Sequence, residues 1–201
     1  MRLGIYGGTF DPVHYGHLVL AEQCREQCAL DEVWFVPAGQ PPHKLTAPIS
    51  PAQARVDMLE LALAGCPEFR VSLVETAREG PSYTVDTLKH LAEEDSSREL
   101  FLLMGADSLA DFATWRDPAG ILALTTLVVV NRGTPDAREL ARLAAPFAES
   151  PQKRVQFVSM PSIGISASDL RRRVSTGGSI RFLVPRAVAA YIADCRLYTP
   201  Q

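Results

Sequence analysis

Near its start the chain reads GGTFDPVHYGH (residues 7–17), which sets His14 and His17 three residues apart just behind a glycine pair. Imidazoles at that spacing on a helix start project to one side, and each ring N–H can donate to an oxyanion. Gly7 and Gly8 let backbone N–H groups come close to an anion, Thr9 follows them, and a helix N-terminus behind adds unpaired donors and a favourable dipole. The stretch reads as a phosphate site. Gly4, Gly7 and Gly8 do not have the spacing of the dinucleotide fingerprint, and no Gly-Lys pair follows as in a P-loop. Zinc held by His14 and His17 would need further ligands, and His43 and His90 complete no recognisable pattern. A structural use of the pair stays open, with His14 capping a turn and His17 partly buried.

Such a loop must be held by rigid elements, and the sequence supplies them. Apolar runs of strand length recur at residues 3–7 (LGIYG), 33–38 (VWFVPA), 69–75 (FRVSLVE), 99–105 (ELFLLMG), 126–132 (TLVVVNR) and 155–160 (VQFVSM). Their apolarity is continuous, as expected of strands covered on both faces. Helical patterns are predicted at 16–28, 51–65, 84–95, 107–115, 135–148, 167–175 and 186–195. The alternation predicts a doubly wound α/β fold, a mostly parallel Rossmann-like sheet with helices on both faces. One domain over 1–201 is expected, with a C-terminal helical part from about residue 166. Ligands of such sheets sit beyond the carboxyl ends of the strands. The proline-rich stretch 37–51 (PAGQPPHKLTAPISP) lies there and reads as a lid or binding loop.

The 201 residues carry a formal net charge of −3, too little positive charge for a general nucleic-acid binder, although a few local cations can hold a small anion. No apolar run is long enough to span a membrane, no leader pattern opens the chain, and a cytoplasmic protein is expected. The four cysteines, Cys24, Cys28, Cys66 and Cys195, are scattered, and Cys24 and Cys28 read more readily as small buried hydrophobes than as metal ligands. A homo-oligomer is compatible with all of this.

GTFDPVHYGH resembles the G-x-F-x-P-x-H-x-G-H signature of the adenylyl- and cytidylyltransferase superfamily. Late in the chain, ISASDLR (165–171) resembles that family's ISSTxxR stretch, keeping Ile165, Ser166, Ser168 and Arg171, with Ala167 in place of a usual hydroxyl residue. The resemblance implies nucleotidyl transfer, in which a phosphate attacks the α-phosphorus of a nucleoside triphosphate and pyrophosphate leaves. It makes His14, His17 and Arg171 the catalytic candidates, with Gly7, Gly8, Thr9, Phe10, Asp107, Ile165, Ser166 and Ser168 joining His17 and Arg171 in the ATP site. Such chemistry asks a protein to position two charged reactants and stabilise developing charge. Mg²⁺ is expected with ATP, held mainly by phosphate and water oxygens with no protein side-chain ligand. Arg172 and Arg173 read as solvent-facing.

Further stretches, PPHK (41–44), RVDMLELA (55–62), PSYTVDTL (81–88), LMGADSLADFATWRD (103–117) and VVVNRG (128–133), resemble the bacterial nicotinate-nucleotide adenylyltransferase branch. That likeness implies ATP and nicotinate mononucleotide as small-molecule substrates and puts Lys44, Thr84, Trp115 and Arg132 on the mononucleotide. Lys44 would meet a substrate phosphate, against the plain alternative of a solvated loop lysine. Asp107 would bind the adenosine ribose, and it can also serve as an N-cap. Trp115 would wall the nicotinate ring while Thr84, at a helix start, faces its carboxylate, although a lone tryptophan is more often core. Asp86 and Arg55 read as packing and ion-pair residues. The nearest competitor is phosphopantetheine adenylyltransferase, whose chains are generally shorter and lack SYTVDTL and TWRD. A nucleotide-binding module without turnover, and an NAD-dependent oxidoreductase contradicted by the glycine spacing, are the readings from other classes.

Overall fold

The computed structural model describes residues 1–40, 49–132 and 155–200, together with Arg138, Arg142 and Ala145. The elements in chain order are β1 (Arg2–Gly8), α1 (Tyr15–Gln27), β2 (Glu32–Pro37), α2 (Ala52–Leu63), β3 (Phe69–Val71), α3 (Thr84–Glu94), β4 (Glu99–Gly105), α4 (Ala106–Asp111), α5 (Pro118–Leu124), β5 (Thr125–Arg132), β6 (Val155–Met160), α6 (Ala167–Ser175) and α7 (Arg186–Asp194). The strands form one sheet in the order β3-β2-β1-β4-β5-β6, and every pairing is parallel.

The continuous apolar runs are explained by two separate cores, one on each face. Tyr6, Phe35, Phe101, Leu103 and Val128 pack under α1, α2 and α7, while Leu3, Ile5, Val36, Leu102 and Val129 pack under α3, α4 and α5. Successive side chains of a strand point to opposite faces, so a strand buried on both sides cannot show polar alternation. Burying each such aliphatic or aromatic side chain contributes roughly 1.5–3 kcal/mol. Cys24 and Cys28 lie in the first of these cores, as small hydrophobes, and burial pushes both thiols up, away from the reactive thiolate.

Three expectations change. The run 69–75 forms a strand only over Phe69–Val71. The helix expected over 107–115 breaks into α4 and a 3₁₀ turn at Phe112–Thr114, after which Asp117 caps a separate helix, its side chain accepting the N–H of Gly120 at 3.0 Å. Pro118 at the first position of that helix has no N–H to leave unpaired, which a hydrophobicity pattern does not register. Asp107 is not an N-cap: Gly105 occupies that position and Asp107 stands in the first turn of α4. The helix expected at 135–148 and residue Lys44 lie outside the described residues, apart from Arg138, Arg142 and Ala145, which are helical. No helix among the described residues is long and apolar enough to cross a membrane.

Candidate functional site

The strand order reverses between β1 and β4, so the connections leaving those two strands diverge to opposite faces and open a crevice at their carboxyl ends. β1 delivers the glycine-histidine loop into it and β4 delivers Gly105 and Asp107. A cavity of about 310 Å³ occupies the crevice and is lined by Gly7, Gly8, Phe10 and His17 from the first side and by Gly105, Asp107, Thr84 and Trp115 from the second. Residues predicted from distant parts of the sequence therefore share one space. A larger apolar cleft of about 810 Å³, between α6 and α7, holds none of them.

His14 is the N-cap of α1 and His17 its third helical residue. The backbone N–H of His14 donates to Nδ1 of His17 at 3.3 Å, and the two rings stack with centroids 3.7 Å apart. A neutral imidazole that accepts at Nδ1 carries its proton on Nε2, which makes that nitrogen the donor. The buried Phe10 ring meets His17 edge-on at 5.2 Å, fixing its plane. Gly8 makes this packing possible, because a Cβ there would stand 2.8 Å from Phe10. His14 is 4% exposed, so the capping reading of His14 and the partial burial of His17 both hold, and both leave His17 at the cavity wall.

Beneath the loop lies a network that sequence reasoning missed. Asp11, 3% exposed, accepts the Tyr198 hydroxyl at 2.6 Å and the Ser50 N–H at 3.1 Å. Arg55, 1% exposed, donates to the carbonyls of Ser50 at 3.1 Å and Thr9 at 3.1 Å, so its role is to brace the loop. Burial pulls the Arg55 guanidinium below its ordinary value and the Asp11 charge opposes that pull. Tyr198 is pushed up, first by burial and then by Asp11. Asp11 stood within the motif, but nothing near it in sequence announced a partner 187 positions away.

From the C-terminal side, Arg171 reaches the same loop through Nη1, which donates to the carbonyl of Asp11 at 2.6 Å. Ser166 caps α6, its hydroxyl accepting the N–H of Asp169 at 3.2 Å, while Ala167 and Ser168 form the first turn and Ile165 packs against the core. Arg172 and Arg173 are exposed and pair with Asp169, whose carboxyl they hold below its usual range, as expected of solvent-facing residues. At the other end of the cavity, Trp115 is half-buried with Phe112 at 5.5 Å, and Thr84 opens α3. A second cavity of about 330 Å³ continues from there between Thr84, Trp115 and Arg116. Asp86 pairs with Arg116 at 3.7 Å, the ion-pair use expected of it. Arg132 ends β5 at the carboxyl edge of the sheet.

A family model described as cytidylyltransferase-like matches residues 5–173. The chain is 49% identical over 199 residues to a probable nicotinate-nucleotide adenylyltransferase of Thermomicrobium roseum, covering 98% of this chain and 91% of that protein. A protein of the same description from Thermus thermophilus is 44% identical over 198 residues, 98% of this chain and 100% of that one. The chain belongs to the cytidylyltransferase-like family, in its nicotinate-nucleotide adenylyltransferase branch. The fold agrees: Plasmodium falciparum nicotinic acid mononucleotide adenylyltransferase complexed with NaAD superposes with a TM-score of 0.80 at 19% identity, covering 98% of this chain and 97% of that one. For a cytidylyltransferase-like protein, the glycine-histidine loop and the crevice at the strand reversal are the places where a nucleotide is to be sought.

Proposed function

We propose that this protein joins nicotinate mononucleotide to the adenylyl group of ATP, giving nicotinate adenine dinucleotide and pyrophosphate. The observation that carries the reading is the single cavity in which His17 stands on one side and Thr84 and Trp115 on the other, in a chain 49% identical to a protein named for this reaction.

A phosphate oxygen of the mononucleotide forms a bond to the α-phosphorus of ATP as the bond from that phosphorus to the bridging oxygen of pyrophosphate breaks. The attacking phosphate loses its second proton near pH 6, so at neutral pH it needs no general base and no covalent enzyme intermediate. The protein's work is alignment and charge stabilisation. His17, donating through Nε2, serves the α-phosphate, with His14 holding its ring. Arg171 and the start of α6 at Ser166 to Ser168 serve the β- and γ-phosphates, and Gly7, Gly8, Thr9 and Phe10 shape the loop around them. Asp107 takes the adenosine ribose, Lys44 meets a substrate phosphate, and Arg132 belongs to the mononucleotide side. Mg²⁺ enters as part of the ATP substrate, where it neutralises phosphate charge and is coordinated by phosphate and water oxygens.

The first-turn N–H groups of α3 at Thr84 and Val85 have no carbonyl of the helix to bond to, and they favour a carboxylate at the nicotinate end, with Trp115 as the ring's wall. The proposal includes a cytoplasmic setting and small-molecule partners only. Purified protein incubated with ATP, Mg²⁺ and nicotinate mononucleotide should release pyrophosphate, and omission of the mononucleotide or chelation of the metal should stop it. Absence of pyrophosphate from the complete mixture would overturn the reading.

A further inference from the structure

Glu75 is a carboxylic acid 7% exposed in the wall of the central cavity, and nothing in adenylyl transfer calls for it there. It follows β3, outside any regular element, and burying a carboxyl group without partners is costly. Thr87 Oγ1, in the first turns of α3, donates to Oε1 at 2.7 Å, and the neighbouring Ser82 hydroxyl also favours the carboxylate form.

Ser82 is in turn the anchor of the chain leaving β2. Its Oγ accepts the N–H of Gly39 at 3.0 Å and that of Gln40 at 3.3 Å, while its own N–H donates to the Gln40 carbonyl at 3.0 Å. The packing is tight: a Cβ on Gly39 would collide with the backbone carbonyl of Glu75. Glu75 thus joins three segments, the exit of β2, residue Ser82 before α3, and the buried face of α3 at Thr87.

We propose that Glu75 is a positioning residue for the mononucleotide end of the site, setting the first turn of α3 at Thr84 against the exit of β2 through Ser82 and Thr87. The inference rests on the function proposed above. Thr84 lies two residues beyond Ser82 and three before Thr87, so the Thr87 hydroxyl that binds Glu75 and the Ser82 hydroxyl beside it bracket the helix start that would meet the nicotinate carboxylate. The β1 loop on the ATP side of the cavity is braced by a different network around Asp11 and Arg55, to which Arg171 of α6 adds a hydrogen bond. Among the described residues, the exit of β2 has one backbone hydrogen bond to the β1 loop, from the Ala38 N–H to the Gly8 carbonyl at 2.9 Å, so loss of the Glu75 network acts mainly on the mononucleotide.

Steady-state kinetics of Glu75→Ala, Glu75→Gln and Ser82→Ala test this, with thermal melts on the same preparations. Glu75→Ala should raise KM for nicotinate mononucleotide about tenfold or more, the scale of a lost buried hydrogen-bond pair, while KM for ATP changes less than about twofold. Glu75→Gln keeps an acceptor for the Thr87 and Ser82 hydroxyls and should lie within about threefold of the parent protein. Ser82→Ala removes one hydroxyl and should reproduce the selective rise even if Glu75→Ala fails to fold. An unchanged mononucleotide KM in a folded Glu75→Ala or Ser82→Ala protein, or an equal rise for both substrates, would overturn the proposal. Absence of turnover in the parent protein would instead overturn the underlying reaction, an outcome distinct from an active parent whose variants fail to discriminate.

Discussion

Arg171 Nη1 donates to the backbone carbonyl of Asp11 at 2.6 Å, a contact between residues 160 positions apart. It closes helix α6 onto the glycine-histidine loop and brings the two motifs of the sequence together. A guanidinium has five donors in a plane, so one can hold a backbone carbonyl while others face an anion.

Arg171→Ala should accordingly impair use of ATP far more than binding of nicotinate mononucleotide. Arg171→Lys should recover only part of the loss, because a point charge does not reproduce the planar fork. Separate KM determinations for the two substrates check this; parallel losses would make the residue a structural tie between α6 and the loop.

His17→Ala should lower kcat by about two orders of magnitude or more, the scale for losing a donor aimed at developing charge. The melting temperature should move little, since His17 is only half-buried. Full turnover in the folded variant would remove His17 from the mechanism.

Tyr198→Phe deletes the hydroxyl that donates to Asp11 at 2.6 Å and leaves that buried oxygen short of a partner. The expected cost is about 1–3 kcal/mol, which for a chain of this size lowers Tm by roughly 2–4 °C per kcal/mol. A calorimetric melt reads it directly, and an unshifted Tm would mean that the Ser50 N–H alone satisfies the carboxylate.

Glu75 supplies a dependence on pH. Burial raises its pKa above the ordinary carboxylate value, with hydrogen bonds from Thr87 and Ser82 and the charge of Arg78 opposing the rise. A raised carboxylate stabilises the fold fully below the unfolded value, about pH 4, and that contribution is lost as pH climbs through the folded value. Glu75→Gln is neutral throughout, so its Tm relative to the parent protein should climb from pH 4 to pH 7. A difference that stays flat across that range would contradict the raised value.

Much of this architecture was legible in advance, for reasons that particular residues show. The runs ELFLLMG and TLVVVNR are apolar on both faces, and β4 and β5, like β1 and β2, have a core on each side. The loop at 7–17 was legible because glycine, proline and histidine types are restricted by local chemistry. Hydrogen bonds that close over long sequence distance were not legible: Asp11 to Tyr198, Arg171 to Asp11, and Gly39 to Ser82 depend on where the sheet brings chain segments together. Glu75 was hidden for a related reason. In sequence it ended an apolar run and read as a strand terminus, whereas the strand stops at Val71 and leaves the acid to fold back against α3.

Discrimination between acid and amide follows from the start of α3. Helix N–H groups at Thr84 and Val85 suit a carboxylate, and Asp86 is engaged by Arg116. Nicotinate mononucleotide should exceed nicotinamide mononucleotide by at least about tenfold in kcat/KM, about 1.4 kcal/mol, and Thr84→Ala or Trp115→Ala should shrink the ratio. Equal rates with both would remove Thr84 and Trp115 from recognition while leaving adenylyl transfer itself in place.

The most direct measurement of the central claim is identification of the adenylylated product. ATP and Mg²⁺ are offered to the purified protein with nicotinate mononucleotide, and in a parallel reaction with phosphopantetheine, and the products are separated and weighed by mass spectrometry. The account predicts nicotinate adenine dinucleotide in one-to-one amount with pyrophosphate and no adenylylated phosphopantetheine. Dephospho-coenzyme A as the faster product, or no dinucleotide at all, would contradict it.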